Sequence, residues 1–154
     1  MVRASVLFWG ALLASGCGAD CKYNENNQKH GRCQLFHENG KPKEDCNYEN
    51  GKWEGECTVY YGNGQVQWQG TFKAGRKNGE YKKYTKKGKL KEHCNYKENR
   101  PHGNCKFYLS DGSLSTDKEY NNGRLHGRSI RYTRSGKVKS DCMYENNRRK
   151  SCKK

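Results

Sequence analysis

The sequence predicts an all-β fold: a single-layer antiparallel β-meander of about five to six hairpin repeats of 24 residues, elongated, twisted and stapled by disulfides. Three observations predict it. The first is a strict internal period. Gly31, Gly55, Gly79, Gly103 and Gly127 lie 24 residues apart, as do Gly40, Gly64, Gly88, Gly112 and Gly136. Aromatic residues keep the same step at Phe36, Tyr60, Tyr84, Tyr108 and Tyr132, and again at Tyr48, Phe72, Tyr96, Tyr120 and Tyr144. An apolar series follows at Val66, Leu90, Leu114 and Val138, with Pro42 in the first unit. A fixed step of this length marks a repeat architecture. The second observation is composition. Only 31% of the 154 residues are hydrophobic, and eleven of the first sixteen are among them. What remains is too polar to wrap a thick two-layer core, which nearly excludes doubly wound and barrel enzymes. The same polarity would suit a disordered chain, but 11 Tyr and the period argue against that. The third observation is that the cysteines obey the same period.

In chain order, residues 1–16 read as a secretory signal peptide. Met1-Val2-Arg3 gives a basic start, and Ala4 to Ala14 form an apolar run too short to span a bilayer. Ser15-Gly16 gives a small-residue exit. Ala14-Ser15-Gly16-Cys17 resembles the processing site of bacterial lipoproteins, departing at Ala14, where that site most often has Leu. This resemblance implies lipidation at Cys17 and a membrane anchor there. Removing residues 1–16 takes away one Arg and changes the net charge from +15 to +14. Residues 17–22 follow as a short tether, 23–150 as the repeat domain and 151–154 as the end of a basic tail.

Within each unit, two short runs are separated by turn chemistry. Glu49-Asn50-Gly51-Lys52, Asn121-Asn122-Gly123-Arg124 and Tyr61-Gly62-Asn63-Gly64 carry the Asn-Gly hairpin signal, and Ser110-Asp111-Gly112 carries its Asp-Gly form. The first unit has one extra residue between Tyr23 and Gly31, and the last stops short at the C-terminus. No stretch of helical length escapes this punctuation. The expectation is a meander of roughly a dozen short strands, a ribbon on the order of 55 Å long.

One cysteine position lies two residues before the Tyr of each unit, at Cys21, Cys46, Cys94 and Cys142. The other lies two residues after the Gly, at Cys33, Cys57 and Cys105, with Cys152 one residue off. Where the first position is Gly70 the second is Tyr81, and where the first is Lys118 the second is Ser129. Both cysteines are present together or missing together. That co-occurrence selects four bridges from the roughly 105 pairings open to eight cysteines: Cys21–Cys33, Cys46–Cys57, Cys94–Cys105 and Cys142–Cys152. The pairs Cys46/Cys57 and Tyr48/Gly55 are symmetric about one hairpin turn, so both should face each other directly. The ninth cysteine is Cys17, at the lipidation position. Cys57 and Tyr60 have opposite parity, so either a bulge occurs in each unit or aromatics occupy both faces of the sheet.

Tyr120-Asn121-Asn122-Gly123-Arg124-Leu125-His126-Gly127, followed by Tyr132 and Gly136-Lys137, resembles the MORN-type repeat in its bacterial variant. The resemblance covers roughly residues 22–148. It implies a single-layer, twisted sheet whose aromatics stack along the ribbon, serving as a binding or scaffolding surface. Some members of the family carry an antitoxin-like label.

Chemistry is sparse. His30, His102 and His126 precede the repeat Gly, but equivalent positions one repeat apart are two strands apart, about 10 Å, too far to share one metal ion. No cysteine spacing resembles a zinc site and no Cys-x-x-Cys occurs. Glu49, Glu54 and Glu56 lie near turns beside Lys, and no nucleophile elbow or phosphate loop is present. The expectation is a protein that is not an enzyme, with no catalytic residue, metal or cofactor. Charge is the remaining signal, 31 Lys+Arg against 16 Asp+Glu. Lys82, Lys83, Lys86, Lys87, Lys89 and Lys91, with Arg148, Arg149 and Lys150, are the candidate anion-binding residues, interleaved with Tyr and with Trp53 and Trp68. The bland counterpart is a solvated face that keeps sheet edges from pairing.

The function read from these features is a non-enzymatic binding or scaffold protein, exported to the cell envelope. It would be anchored at Cys17 to the outer membrane or cell surface, or otherwise secreted. Its partner would be a protein or an anionic envelope lipid or polysaccharide; export disfavours nucleic acid. The alternative is a secreted immunity or antitoxin-like module that neutralises one specific protein.

Overall fold

The computed structural model of the protein describes residues 19–153. The segment read from sequence as a signal peptide, and Cys17, lie outside them. The chain runs through twelve strands: β1 (Ala19–Tyr23), β2 (Lys29–Phe36), β3 (Pro42–Glu49), β4 (Lys52–Tyr60), β5 (Val66–Lys73), β6 (Arg76–Tyr84), β7 (Leu90–Lys97), β8 (Arg100–Tyr108), β9 (Leu114–Asn121), β10 (Arg124–Tyr132), β11 (Val138–Glu145) and β12 (Arg148–Lys153). They form one sheet in chain order, each strand antiparallel to the next. Residues 19–22, read from sequence as tether, belong to β1, where Ala19 opposes Leu35 on β2. Residues 151–153, read as the end of a tail, close β12.

Two kinds of turn alternate. At the ends of β3, β5, β7, β9 and β11 the chain reverses in two residues that both have positive φ, as at Asn50 (48°) and Gly51 (75°). Such a turn matches the strand twist and favours Asn-Gly. At the other end the reversal takes five residues, as in His37 to Lys41, closed by the His37 N–H to the Lys41 carbonyl at 2.8 Å. Every turn is tied to the next repeat. The Gly51 N–H bonds the Lys29 carbonyl at 2.9 Å, and the Gly75 N–H bonds the Trp53 carbonyl at 2.8 Å. On the long-turn side, the Asn39 and Asn63 amides donate to the carbonyls of Gly62 and Lys86, each at 2.8 Å.

Bulges occur in every unit, but β4 carries no extra residue between Cys57 and Tyr60, so these two alternate and the Tyr60 series lies on the face opposite the cysteines; aromatics occupy both faces. Cys46 faces Cys57 as expected, but Tyr48 faces Trp53 on β4 and Gly31 on β2, not Gly55. Between the two β3–β4 pairs, β4 carries Glu54, Gly55 and Glu56 against the single Asn47 of β3. Gly55 sits at φ +76° in this bulge, a conformation that an L side chain adopts only with strain. The series from Gly31 to Gly127 therefore marks bulges.

One residue from each strand lies in a row across the sheet: Cys21, Cys33, Cys46, Cys57, Gly70, Tyr81, Cys94, Cys105, Lys118, Ser129, Cys142 and Cys152. Four disulfides cross it, Cys21–Cys33, Cys46–Cys57, Cys94–Cys105 and Cys142–Cys152, with Cα atoms 4.0–4.2 Å apart. Cys33, Cys46, Cys57, Cys94 and Cys105 are fully buried. A one-layer sheet has no second layer to bury its face against, so the bridges and the aromatics beside them form the core.

The opposite face is polar. Arg32 holds Asp45 through two hydrogen bonds, at 2.8 and 2.6 Å, and Arg128 holds Asp141 through two at 2.9 and 2.6 Å. In the third unit the carboxylate moves to the other strand, with Glu80 against His93 at 2.7 Å and Lys82 at 2.8 Å.

Candidate ligand-binding surface

The disulfide-bearing face changes character where the row of bridges is interrupted. The first interruption is Gly70 on β5 against Tyr81 on β6. A Cβ at Gly70 would meet Tyr81 Cδ2 at 2.8 Å and the Glu80 carbonyl at 3.0 Å, so the Tyr81 ring lies across the place where a bridge would run. Around it the aromatics close into a chain. Trp53 packs edge-on against Trp68 at 5.3 Å and Phe72 at 4.9 Å, Trp68 meets Tyr81 at 5.8 Å, and Tyr81 meets Tyr96 edge-on at 5.6 Å. The Lys77 ammonium sits 3.5 Å from the Tyr81 ring centroid and 4.6 Å from that of Tyr96. Burial lowers the Lys77 pKa. Tyr48 donates its hydroxyl to Glu44 and accepts the Trp53 indole N–H at 2.9 Å. Tyr96 donates to Glu92 at 2.8 Å. Burial, followed by the bond to Glu44, pushes the Tyr48 phenol up to about 12; burial and Glu92 push Tyr81 to the same level. Phe72 and Tyr81 are buried, so this interruption is filled by core.

The second interruption is Lys118 on β9 against Ser129 on β10. The Lys118 ammonium leans away over the Phe107 ring, 5.6 Å from its centroid, and Ser129 is too small to fill the space. Beside it lies a hollow of about 410 Å³, lined by Ser129, Arg131, Ser140, Cys142, Tyr144 and Arg149, and also by Lys139, Cys152 and Lys153. β10, β11 and β12 each supply part of it: Arg131 faces Ser140, and Tyr144 faces Arg149. The lining holds four cations, three hydroxyls and no carboxylate. Among the described residues, none of the four cations is in an ion pair.

The nine basic residues singled out from the sequence are not brought together. Lys82 and Lys83 lie on opposite faces of β6, with Lys82 against Glu80 and Lys83 opposite Glu92. Lys86 and Lys87 sit in the turn after β6, the Lys89 ammonium bonds the Asp111 carbonyl at 2.9 Å, and Lys91 is on β7. Arg148 opens β12 opposite Glu145, and Lys150 pairs with Glu145 at 2.6 Å. Only Arg149 enters the hollow. Arg131 and Lys139 were missed, although the pairing of Lys118 with Ser129 was a signal for them. Of the singled-out histidines, His102 Nδ1 accepts the Asn122 N–H at 3.4 Å.

A one-layer sheet with a row of bridges, bulges at a fixed step and stacked turns defines an open β-repeat scaffold. Residues 29–50, 53–74, 77–98 and 125–146 each match the MORN repeat variant family. Together these segments exceed half of the chain, and the protein belongs to that family. Between the third and fourth matched segments, β8 and β9 keep the register of the other units. No curated protein matches the chain. Membership in the repeat family makes the protein a repeat scaffold or binding protein, and its four disulfides fit an extracellular or exported setting.

Proposed function

We propose that the protein is a non-enzymatic binding protein of the cell envelope, exported, held by a lipid at Cys17, and binding an anionic partner. The observation that carries this reading is the surplus of cations, with ten of the 16 carboxylates already held by cations, phenols or backbone N–H groups. Asp45, Glu80, Asp117, Asp141, Asp111 and Glu145 already face cations. Glu44 and Glu92 accept phenol hydroxyls, and Glu54 and Glu119 accept backbone N–H groups. With 31 basic residues against 16 acidic, the positive field reaches solvent largely unopposed, which favours an anionic surface. Disulfides support a compartment outside the reducing cytoplasm.

Flotation of the full chain with vesicles tests it. Binding to phosphatidylglycerol vesicles, absent from phosphatidylcholine vesicles and lost near 1 M salt, where the screening length is about 3 Å, is the expected result. Equal binding to both vesicles, or none to either at low salt, contradicts it.

A further inference from the structure

We infer that the hollow beside the Lys118–Ser129 rung is a specific site for a phosphate monoester. The inference rests on the anionic-partner reading and names its point of contact. Two other basic regions compete for that role. The hollow at the short-turn edge, lined by Lys52, Lys73, Arg76 and Lys97, has a similar volume of about 430 Å³ but includes Glu98, so its field is partly cancelled from within. The Lys86 and Lys87 turn contributes to a shallow depression that includes Asp111. The C-terminal hollow alone of the three has no acid in its lining.

Its donors suit the ligand in kind as well as in charge. Arg131 and Arg149 enter from strands on either side of β11, and each guanidinium offers a planar fork that fits two phosphate oxygens. Lys139 adds a point charge, and Ser129, Ser140 and Tyr144 offer hydroxyl donors; Lys153, also in the lining, opposes Asp141 on β11 and shares its charge with that carboxyl. A phosphate monoester carries a charge of about −1.5 to −2 and three terminal acceptor oxygens, more than a carboxylate has with which to use this set. The floor is fixed. Ser129 is 6% exposed and Cys142, at 7%, is tied to Cys152, so the site is preformed on strands and needs no ordering of a loop. The volume leaves room for the organic part of a small ester.

The full chain is titrated with glycerol 3-phosphate while backbone amide shifts are followed, and in parallel with vesicles of phosphatidic acid in phosphatidylcholine. Shifts centred on Ser129, Arg131, Ser140, Cys142 and Arg149 are expected. Arg131→Gln and Arg149→Gln should each weaken binding about tenfold, with melting temperature showing that the variants are folded. Arg76→Gln with Lys97→Gln removes two charges at the other hollow, one more than either single variant, and should leave binding within about twofold. Binding of the soluble ester identifies a free phosphate compound as sufficient; binding of phosphatidic acid vesicles alone places the phosphate on a lipid headgroup. Shifts centred elsewhere, equal weakening by the Arg76/Lys97 variant, or equal affinity for succinate would overturn the site. If phosphatidylglycerol vesicles still bind the Arg131→Gln/Arg149→Gln protein as they bind the parent, the anionic-partner reading stands and this inference fails. If no anionic probe binds the parent, both fail.

Discussion

Gly70 shows how much one side chain decides in a sheet without a second layer. Its missing Cβ lets the Tyr81 ring lie 2.8 Å from where that carbon would be, so Gly70→Ala forces the ring or the strand to move. A loss of about 1–3 kcal/mol is expected in chemical denaturation, and an unchanged midpoint would mean that the ring does not occupy the rung. The buried phenols make a second expectation at this scale. Tyr48 and Tyr81 keep their protons up to about 12 in the folded chain, whereas an unfolded Tyr releases its proton near 10. The folded state therefore holds more protons across that interval, and stability present in full below about pH 10 falls as pH rises towards 12. Spectrophotometric titration should show most Tyr ionising first, with a late step that coincides with unfolding. A single step for all Tyr contradicts the burial. At acid pH the sign reverses: Arg32 and Arg128 hold the Asp45 and Asp141 carboxyls below their usual range, and that contribution is lost as pH falls through the lowered values.

At the scale of elements, the two-residue turns carry a strain that can be relieved. Ala74 takes φ +49° in the β5–β6 turn, where a non-glycine residue costs about 1–2 kcal/mol and Asn is better tolerated. Ala74→Asn should raise stability by roughly 0.5–1 kcal/mol, read as a higher melting temperature; a lower one would mean that the turn is shaped by something other than φ. Neither this turn nor Glu98-Asn99 advertises itself in sequence, because the register of the flanking strands places it, whereas Asn50-Gly51 and Asn122-Gly123 state it locally. The position of the bulges was hidden for a related reason. Symmetry about the hairpin put Tyr48 opposite Gly55, and only the pairing shows that β4 carries three residues against one there. The disulfides were legible because presence and absence co-vary between two positions of a unit. The same logic makes a fifth bridge possible: Lys118 and Ser129 oppose each other as Cys94 and Cys105 do. The double variant Lys118→Cys/Ser129→Cys should gain up to about 3 kcal/mol when oxidised, and failure to oxidise would contradict the β9–β10 register.

For the whole molecule, four bridges tie alternate strand pairs into units, and hydrogen-bonded turns pass load from each unit to the next. The basic hollow was not legible as a site because its cations come from three strands, and their meeting depends on bulges and on the small Ser129. What the sequence did expose was the surplus charge and the interrupted row. Replacing Cys94 alone should destabilise about as much as replacing Cys94 and Cys105 together, since either change removes one bridge; a double variant twice as damaging contradicts the pairing. The central claim is that bridges close alternate rungs of one continuous row, and Cys33 gives it a sharp test because it directly opposes both Cys21 and Cys46. The deciding measurement is a non-reducing tryptic peptide map of the natively produced protein, in which Lys or Arg sites separate the members of every bridge. Linked peptides joining Cys21 to Cys33, Cys46 to Cys57, Cys94 to Cys105 and Cys142 to Cys152 are the expected result. A Cys33–Cys46 link, or free thiols at these eight positions, would contradict it.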